Sequence, residues 1–347
     1  MNDMKHLFTP IKIKGLELKN RIVMPPMCQY SAEDGKAGEW HRLHYGIRAV
    51  GGVGLILIEM TNVEPNGRIT DGCLGLWSDE QIEPLKEVVD LCHRQGAKVG
   101  IQIAHAGRKA EDAPEVVSAS DVAFSKDYKN PRALSTEEVR EMVESYRRAV
   151  ARAVKAGVDT VEIHGAHGYL IHQFHSPLTN LREDEYGRDK ARFGAEIIRA
   201  AREEIPSSMP LIFRISAIEY VEGGYNLDYS LEISKKYKEA GVDVFDITSG
   251  GEGEFVGSSG RPGTHAGYQV PFARAYKETL GIPVIAVGKL EDVSMANSVI
   301  GNEDADLVAI GRGLLRNPNW ALEAGLAIQK QVDIPYQLKR GFPKQVF

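Results

Sequence analysis

The chain has 347 residues, 43% hydrophobic and 26% charged, a length that buries roughly 75% of its unfolded surface in one core and allows a single domain over 1–347. Its 42 Lys and Arg against 48 Asp and Glu leave a net charge of −6, so no basic field exists to neutralise a nucleic-acid backbone and a bound phosphate needs a local pocket. Three cysteines without a C-x-x-C spacing exclude a four-cysteine metal site from this chain alone and predict a reducing, cytoplasmic location, while the best apolar stretch, 53–60, falls short of the roughly 20 residues of a membrane span.

Short β-branched runs alternate with longer amphipathic segments, the pattern of repeated βα units around a parallel sheet. In chain order the sequence predicts a strand at 21–24 and a helix at 40–50, then 54–60 with 79–95, 98–103 with 136–156, and 160–164 with 191–204. It continues with 211–216 and 229–240, 244–248 and 271–280, 283–287 and 293–300, and 307–310 with 314–328. The third helix is the best marked. Ser135-Thr136-Glu137-Glu138 is a capping-box start, and Val139, Met142, Val143, Tyr146, Val150, Ala153 and Val154 recur at helical spacing up to Gly157. A-G-V-D at 156–159 and at 240–243, with a similar D-A-D-L at 304–307, each leads from a helix into an apolar strand.

Eight such units predict a TIM (β/α)8 barrel, α/β in class, with its active site at the C-terminal ends of the strands. A doubly wound nucleotide-binding sheet is disfavoured, because Gly52-Val53-Gly54 precedes a strand and lacks the third fingerprint glycine. Two connections, 104–134 and 165–190, are long for a barrel, and long loops often carry function. A Gly- and Ser-rich stretch at 250–263 reads as a third, mobile one.

At the strand ends stand Pro26-Met27-Cys28, Glu59-Met60, Gln102, His164, Arg214, Ser249-Gly250, Gly288 and Gly311-Arg312, with His167 just beyond the fourth. An amide, a strand-end Arg, two glycine turns and two histidines suit a planar polar heterocycle that carries a phosphate.

The motifs are more specific. L-F-T-P-I at 7–11, K-N-R-I-V-M-P-P-M-C-Q-Y at 19–30, G-R-I-T-D at 67–71 and I-Q-I-A-H-A-G-R-K at 101–109 are followed by V-E-I-H-G-A-H-G-Y-L-I-H-Q-F at 161–174, S-P-L-T-N at 176–180 and A-I-G-R at 309–312. As a set, spread over nearly the whole chain, they resemble the Old Yellow Enzyme family of FMN-dependent ene-reductases, in its bacterial, thermophilic-like branch that includes the NADPH dehydrogenases. The resemblance implies a bound FMN and NADPH as hydride donor. Pro25, Pro26, Met27, Cys28 and Met60 would line the isoalloxazine ring, with Gln102 on its pyrimidine edge. Arg214 would lie at the N1/C2=O end, where a permanent cation favours the reduced form. Ser249 and Gly250 join the same cofactor set, Gly288 and Gly311 would admit the phosphate to backbone amides, and Arg312 would be its counter-charge.

By the same resemblance His164 and His167 would bind the oxygen of an α,β-unsaturated carbonyl or nitro compound. Hydride from flavin N5 would reach the β-carbon, and Tyr169 would protonate the α-carbon. Cys28 would tune the flavin by weak hydrogen bonding. Tyr30 would point into the substrate cavity, alternation along an extended segment turning both Cys28 and Tyr30 to the mouth. Q-L-K-R-G-F at 337–342 resembles the tail with which this branch reaches a neighbouring subunit, implying a homo-oligomer contacted through 335–347, with Arg340 inserted.

Blander readings stand beside these. A strand-end glycine or Arg serves turn geometry or a surface pair equally well, a free thiol such as Cys28 is usually inert, and an Arg near a terminus is ordinarily solvated. His172 and His175 repeat the H-x-x-H spacing of His164 and His167 and would attract zinc if all four faced one another. No carboxylate or cysteine ligand stands at recognisable spacing, so no metal is expected and a structural role suits both. The rival functions are a flavin-free lyase or isomerase of a phosphorylated metabolite, with His164 or His167 as base, and a non-catalytic binding barrel. The chain departs from the family pattern at Gly165, where alanine is usual, at His175, usually apolar, at Leu338, commonly tyrosine, and in the shortened passage 186–190.

Overall fold

The computed structural model describes residues 5–252 and 265–344. Eight parallel strands close on themselves: β1 (Ile22–Met24), β2 (Leu55–Asn62), β3 (Lys98–Ala104), β4 (Thr160–Gly165), β5 (Leu211–Ser216), β6 (Val244–Thr248), β7 (Val284–Ala286) and β8 (Leu307–Ala309), with β8 paired to β1. The helices that follow them are α1 (Glu39–Val50), α2 (Ile82–Arg94), α3 (Thr136–Lys155), α4 (Arg192–Glu204), α5 (Leu227–Ala240), α6 (Val270–Leu280), α7 (Val293–Gly301) and α8 (Trp320–Ala327). The strands read as unbroken apolar runs because both faces are covered. Val23, Leu55, Leu57, Ile212, Val244, Ile285 and Leu307 form one cluster, and a larger cluster joins strands to helices.

A hairpin absent from the sequence reading, Ile11–Ile13 against Leu16–Leu18, puts Ile13, Leu16 and Leu18 into that smaller cluster and leads straight into β1, plugging the N-terminal end. Its turn takes Lys14 through φ 51°, and a Cβ on Gly15 would meet the Ser208 carbonyl oxygen at 2.9 Å. With that end closed, the opposite end is left for a site.

The predicted cap of α3 is present: the Glu138 amide donates to Ser135 Oγ at 3.2 Å and the Ser135 amide to Glu138 Oε2 at 2.7 Å. The predicted last helix, 314–328, is corrected to two, Arg312–Arg316 and α8. Pro318 disfavours a helical Asn317, which is extended at φ −136° and ψ 99°. The long connections carry structure of their own. A 3₁₀ turn (Gly107–Lys109) and a parallel pair (Val117–Ser118 with Arg132–Ala133) lie in 104–134, and short helices Leu170–His175 and Glu185–Arg188 lie in 165–190. The loop read as mobile at 250–263 lies, from 253 onward, outside the described residues. Among the described residues no helix is long and apolar enough to cross a membrane.

Candidate active site

Strand register gathers the polar residues. Gln102 on β3 pairs with Glu162 on β4, His164 on β4 with Arg214 on β5, and Arg214 with Asp246 on β6. Residues paired in a parallel ladder share a face, so these side chains converge at the C-terminal end of the barrel. Gln102 Nε2 donates to Glu162 Oε1 at 2.7 Å, and Arg214 Nε lies 3.2 Å from Asp246 Oδ2. Burial, reinforced by Asp246, pushes the Glu162 carboxyl well above the usual range, while burial raises Asp246 and Arg214 draws it back. Glu162 therefore keeps its proton, and the Asp246 charge is balanced by Arg214.

Beyond β4 the chain turns through His167 at φ 59° and Gly168 at φ 72°, where a Cβ on Gly168 would strike the Gly251 carbonyl oxygen at 2.1 Å. The turn sets three rings edge to face: the His164 centroid lies 5.3 Å from that of His167 and 5.1 Å from that of Tyr169. Burial, then the Arg214 charge, holds both imidazoles well below their ordinary pKa, so both are neutral. Burial pushes the Tyr169 phenol well above 10, so it stays protonated. His164 Nδ1 accepts the Ala166 amide at 3.4 Å, leaving Nε2–H as its donor. His167 Nε2 lies 2.9 Å from Thr248 Oγ1, so His167 donates from Nδ1 only when the Thr248 hydroxyl gives its proton to Nε2. Lys109, unassigned in the sequence reading, donates from Nζ to the His167 carbonyl at 2.9 Å and sits 5.1 Å from the Tyr169 ring centroid. Burial lowers it to about 8. Its signal was its place at the end of the I-Q-I-A-H-A-G-R-K motif.

On the β1 side Pro25 is buried, while Pro26, Met27 and Cys28 are half-buried. Glu59, known from sequence only as a strand end, anchors this segment: Oε2 accepts the Gln29 amide at 2.7 Å and Oε1 the Tyr45 hydroxyl at 3.0 Å. Burial raises its carboxyl to about 7. The register of β2 shifts between Ile58 and Thr61, a bulge that frees the neighbouring Met60 from strict alternation. Met60 enters an apolar cluster with Ile69 and Cys73, against which Cys28 and Tyr169 pack. The alternation expected for Cys28 and Tyr30 is corrected. The strand ends at Met24, and Tyr30 is left-handed at φ 51° and 51% exposed.

Across the mouth, Ser249 Oγ donates to Gln269 Oε1 at 2.5 Å, and Gln269 Nε2 to the Val287 carbonyl at 3.1 Å. Gln269 was not singled out in the sequence. The Gly250 amide donates to the Ile218 carbonyl at 2.7 Å. Gly288, at φ 125°, leaves only 3.0 Å between a built Cβ and Gln269 Nε2. Gly311 opens the short helix begun by the exposed Arg312, and a Cβ on it would touch Pro25 Cγ at 3.5 Å and Met27 Sδ at 3.6 Å. The β8 end thus abuts the β1 segment.

His172 and His175 do not join the outer histidines in a metal cage. His172 Nδ1 accepts the Gly168 amide at 3.0 Å and its Nε2 lies 3.0 Å from Glu219 Oε1, while His175 bonds the Tyr237 hydroxyl. Among the described residues no group of three His, Cys, Asp or Glu could hold a metal. Arg340 is exposed on the turn Tyr336–Gly341, with no hydrogen bond or ion pair among the described residues linking it to the mouth of its own barrel.

The donor set fits FMN. Arg214 is only 7% exposed, its Nε has no hydrogen-bond acceptor, and no other hydrogen bond from it exists among the described residues. Asp246 at 3.2 Å balances its charge without hydrogen-bond geometry, so the guanidinium N–H groups call for an acceptor from outside the chain, and Gln102 has a carbonyl and a second N–H to spare.

A (β/α)8 barrel with this mouth is built for flavin chemistry. The profile of the NADH:flavin oxidoreductase / NADH oxidase family matches residues 6–331, and the chain belongs to that family. It is an oxidoreductase whose cofactor is FMN and whose cosubstrate is a nicotinamide. It is 43% identical over 344 residues to the NADPH dehydrogenase of Listeria welshimeri, covering 98% of this chain and 100% of that one. It is 44% identical over 349 residues to the NADPH dehydrogenase of Bacillus subtilis, covering 97% and 99%. Among solved structures, morphinone reductase superposes with a TM-score of 0.80 at 26% identity, covering 95% of this chain and 91% of that one. Its complex with tetrahydroNAD gives 0.79 at 27%, covering 95% and 92%.

Proposed function

We propose that the protein is an NADPH-driven ene-reductase that saturates the C=C bond of α,β-unsaturated aldehydes, ketones, imides and nitro compounds. The observation that carries this reading is the ring cluster after β4, two neutral imidazoles and a protonated phenol with His164 within 5.3 Å of both other rings, beside Arg214 and Gln102. When bound, FMN supplies a two-electron carrier between the nicotinamide and the alkene. Gln102 and Arg214 would hold its polar edge, Pro25, Pro26, Met27, Cys28 and Met60 its ring, and Gly288, Gly311 and Arg312 its phosphate, with Ser249 and Gly250 completing the cofactor set.

His164 through Nε2–H grips the activating oxygen, where negative charge grows as the β-carbon is saturated, and His167 joins it through Nδ1–H once the Thr248 hydroxyl, which donates to Gln269 Oε1 at 3.3 Å, turns to give its proton to His167 Nε2. Tyr30 borders the cavity. Tyr169 delivers its proton to the α-carbon, and Lys109, 5.1 Å from the ring, steadies the phenolate left behind. The relatives' name, NADPH dehydrogenase, supports the choice of nicotinamide. The enzyme is assigned to the cytoplasm, as one barrel domain over 1–347 and as a homo-oligomer in which the tail 335–347 offers the exposed Arg340 to a neighbour.

Anaerobic titration tests the reading. NADPH should bleach the bound flavin, and cyclohexenone should restore its colour. A flavin that NADPH leaves oxidised, or that no enone recolours, overturns it.

A further inference from the structure

β6 reads V-F-D-I-T, an apolar strand with one acid in its middle. Its register with β5 shows where that acid points. Val244 pairs with Ile212, and both belong to the smaller apolar cluster, which holds strand and hairpin residues but no helix residue and so lies inside the barrel. Two residues on, the strand period returns to the same face, so Asp246 and its partner Arg214 point inward as well. Glu162, paired with Ile212 from the other side, joins them. Two carboxyls and one guanidinium therefore share the floor of the mouth, and both acids are 0% exposed.

The two carboxyls have different partners. Glu162 Oε1 accepts from the neutral amide of Gln102 at 2.7 Å, whereas Asp246 is the one ion-pair partner of Arg214 among the described residues. Asp246 Oδ2 lies 3.2 Å from Arg214 Nε without the alignment of a hydrogen bond. The contact works through charge, and away from water a charge acts with little screening. Nε is the nitrogen turned to Asp246, so both Nη groups are left for a ligand.

We propose that Asp246 is a positioning residue that acts on the flavin through Arg214, its carboxylate cancelling much of the guanidinium charge and so keeping bound FMN a stronger reductant than a lone cation would. The inference rests on the placement of the FMN polar edge at Gln102 and Arg214 given above. Two-electron reduction of FMN with uptake of one proton leaves a negative charge at the N1/C2=O end. A bare guanidinium there would hold that charge and weaken hydride donation. With Asp246 behind it, the same side chain supplies directed N–H groups with little net charge. Glu162, which keeps its proton, adds no charge of its own.

The test is the midpoint potential of the FMN-loaded protein, read anaerobically against a reference dye with xanthine and xanthine oxidase as the electron source. Neither NADPH nor an alkene takes part, so the outcome is independent of the ene-reductase reading. Asp246→Asn keeps the shape and removes the charge. It should move the potential positive by about 30 mV or more, a tenfold change in the two-electron equilibrium. Glu162→Gln exchanges one neutral group for another and should hold that equilibrium within about threefold of wild type. An unmoved or more negative potential in Asp246→Asn, or an equal rise in Glu162→Gln, would overturn the proposal. Asp246→Ser repeats the neutral substitution with a smaller side chain, and loss of FMN from both neutral variants would make Asp246 a structural residue and overturn it too. Arg214→Met checks the placement and should lower the potential or lose FMN. If it does so while Asp246→Asn leaves the potential unmoved, this proposal alone fails; if Arg214→Met changes neither, the placement of FMN fails with it.

Discussion

His164-Gly165-Ala166-His167 and His172-Gln173-Phe174-His175 repeat one spacing within twelve residues, and the chain uses the two pairs in opposite ways. The first ends β4 and its turn, where each ring is neutral and each keeps one nitrogen for an outside partner. The second rides the helix Leu170–His175, fully buried, with both nitrogens of His172 occupied by the Gly168 amide and Glu219. Because Gly168 follows His167 in a left-handed turn, the inner pair braces the outer one. A histidine motif becomes chemistry where a ring presents a nitrogen to the barrel mouth, and architecture where the rings are buried and bonded to a neighbouring carboxylate and phenol.

This contrast can be broken from either side. The largest effect should come from the brace. Glu219→Ala strands the buried His172 and the Tyr225 amide that now donates to Glu219 Oε2 at 2.8 Å, at an expected cost of about 3 kcal/mol in urea unfolding. A loss below about 1 kcal/mol would make the inner pair incidental. The outer pair should behave in reverse. His164→Ala should slow flavin reoxidation by cyclohexenone about 10²-fold, or about 2.7 kcal/mol of barrier, with little change in unfolding. Equal effects of both variants on stability would erase the distinction.

The smallest effect is on pH dependence. With both outer imidazoles held neutral and Tyr169 protonated, the reoxidation rate should be flat from pH 6 to 7.5. Lys109, lowered to about 8, loses its charge as the pH rises through that value, so the rate should then fall a few-fold, and Lys109→Met should remove the fall. A bell with a limb near 6.5 that persists in Glu59→Gln, whose carboxyl otherwise titrates at about 7, would show that an imidazole titrates after all.

The eight strands and most helices were legible because fully covered parallel strands read as apolar runs and the helices carry caps and stripes. The hairpin Ile11–Leu18 was not, since three-residue strands carry no period. The predicted last helix overran because a proline's constraint on Asn317 competes with an otherwise helical composition. At the site, the motif residues of β3, β4 and β5 do converge on one mouth. Glu162, Asp246 and Lys109 escaped notice because a buried charge looks like any surface charge until register pairs it with a neighbour: Glu162 stands two residues before His164, on the same face.

The central claim is that the phenol of Tyr169 supplies the proton once His164 and His167 hold the substrate oxygen. Anaerobic rapid mixing of Tyr169→Phe separates the two half-reactions. Bleaching by NADPH should stay within about twofold of wild type while recolouring by cyclohexenone slows about 10²-fold or more. Equal slowing of both halves would contradict the account.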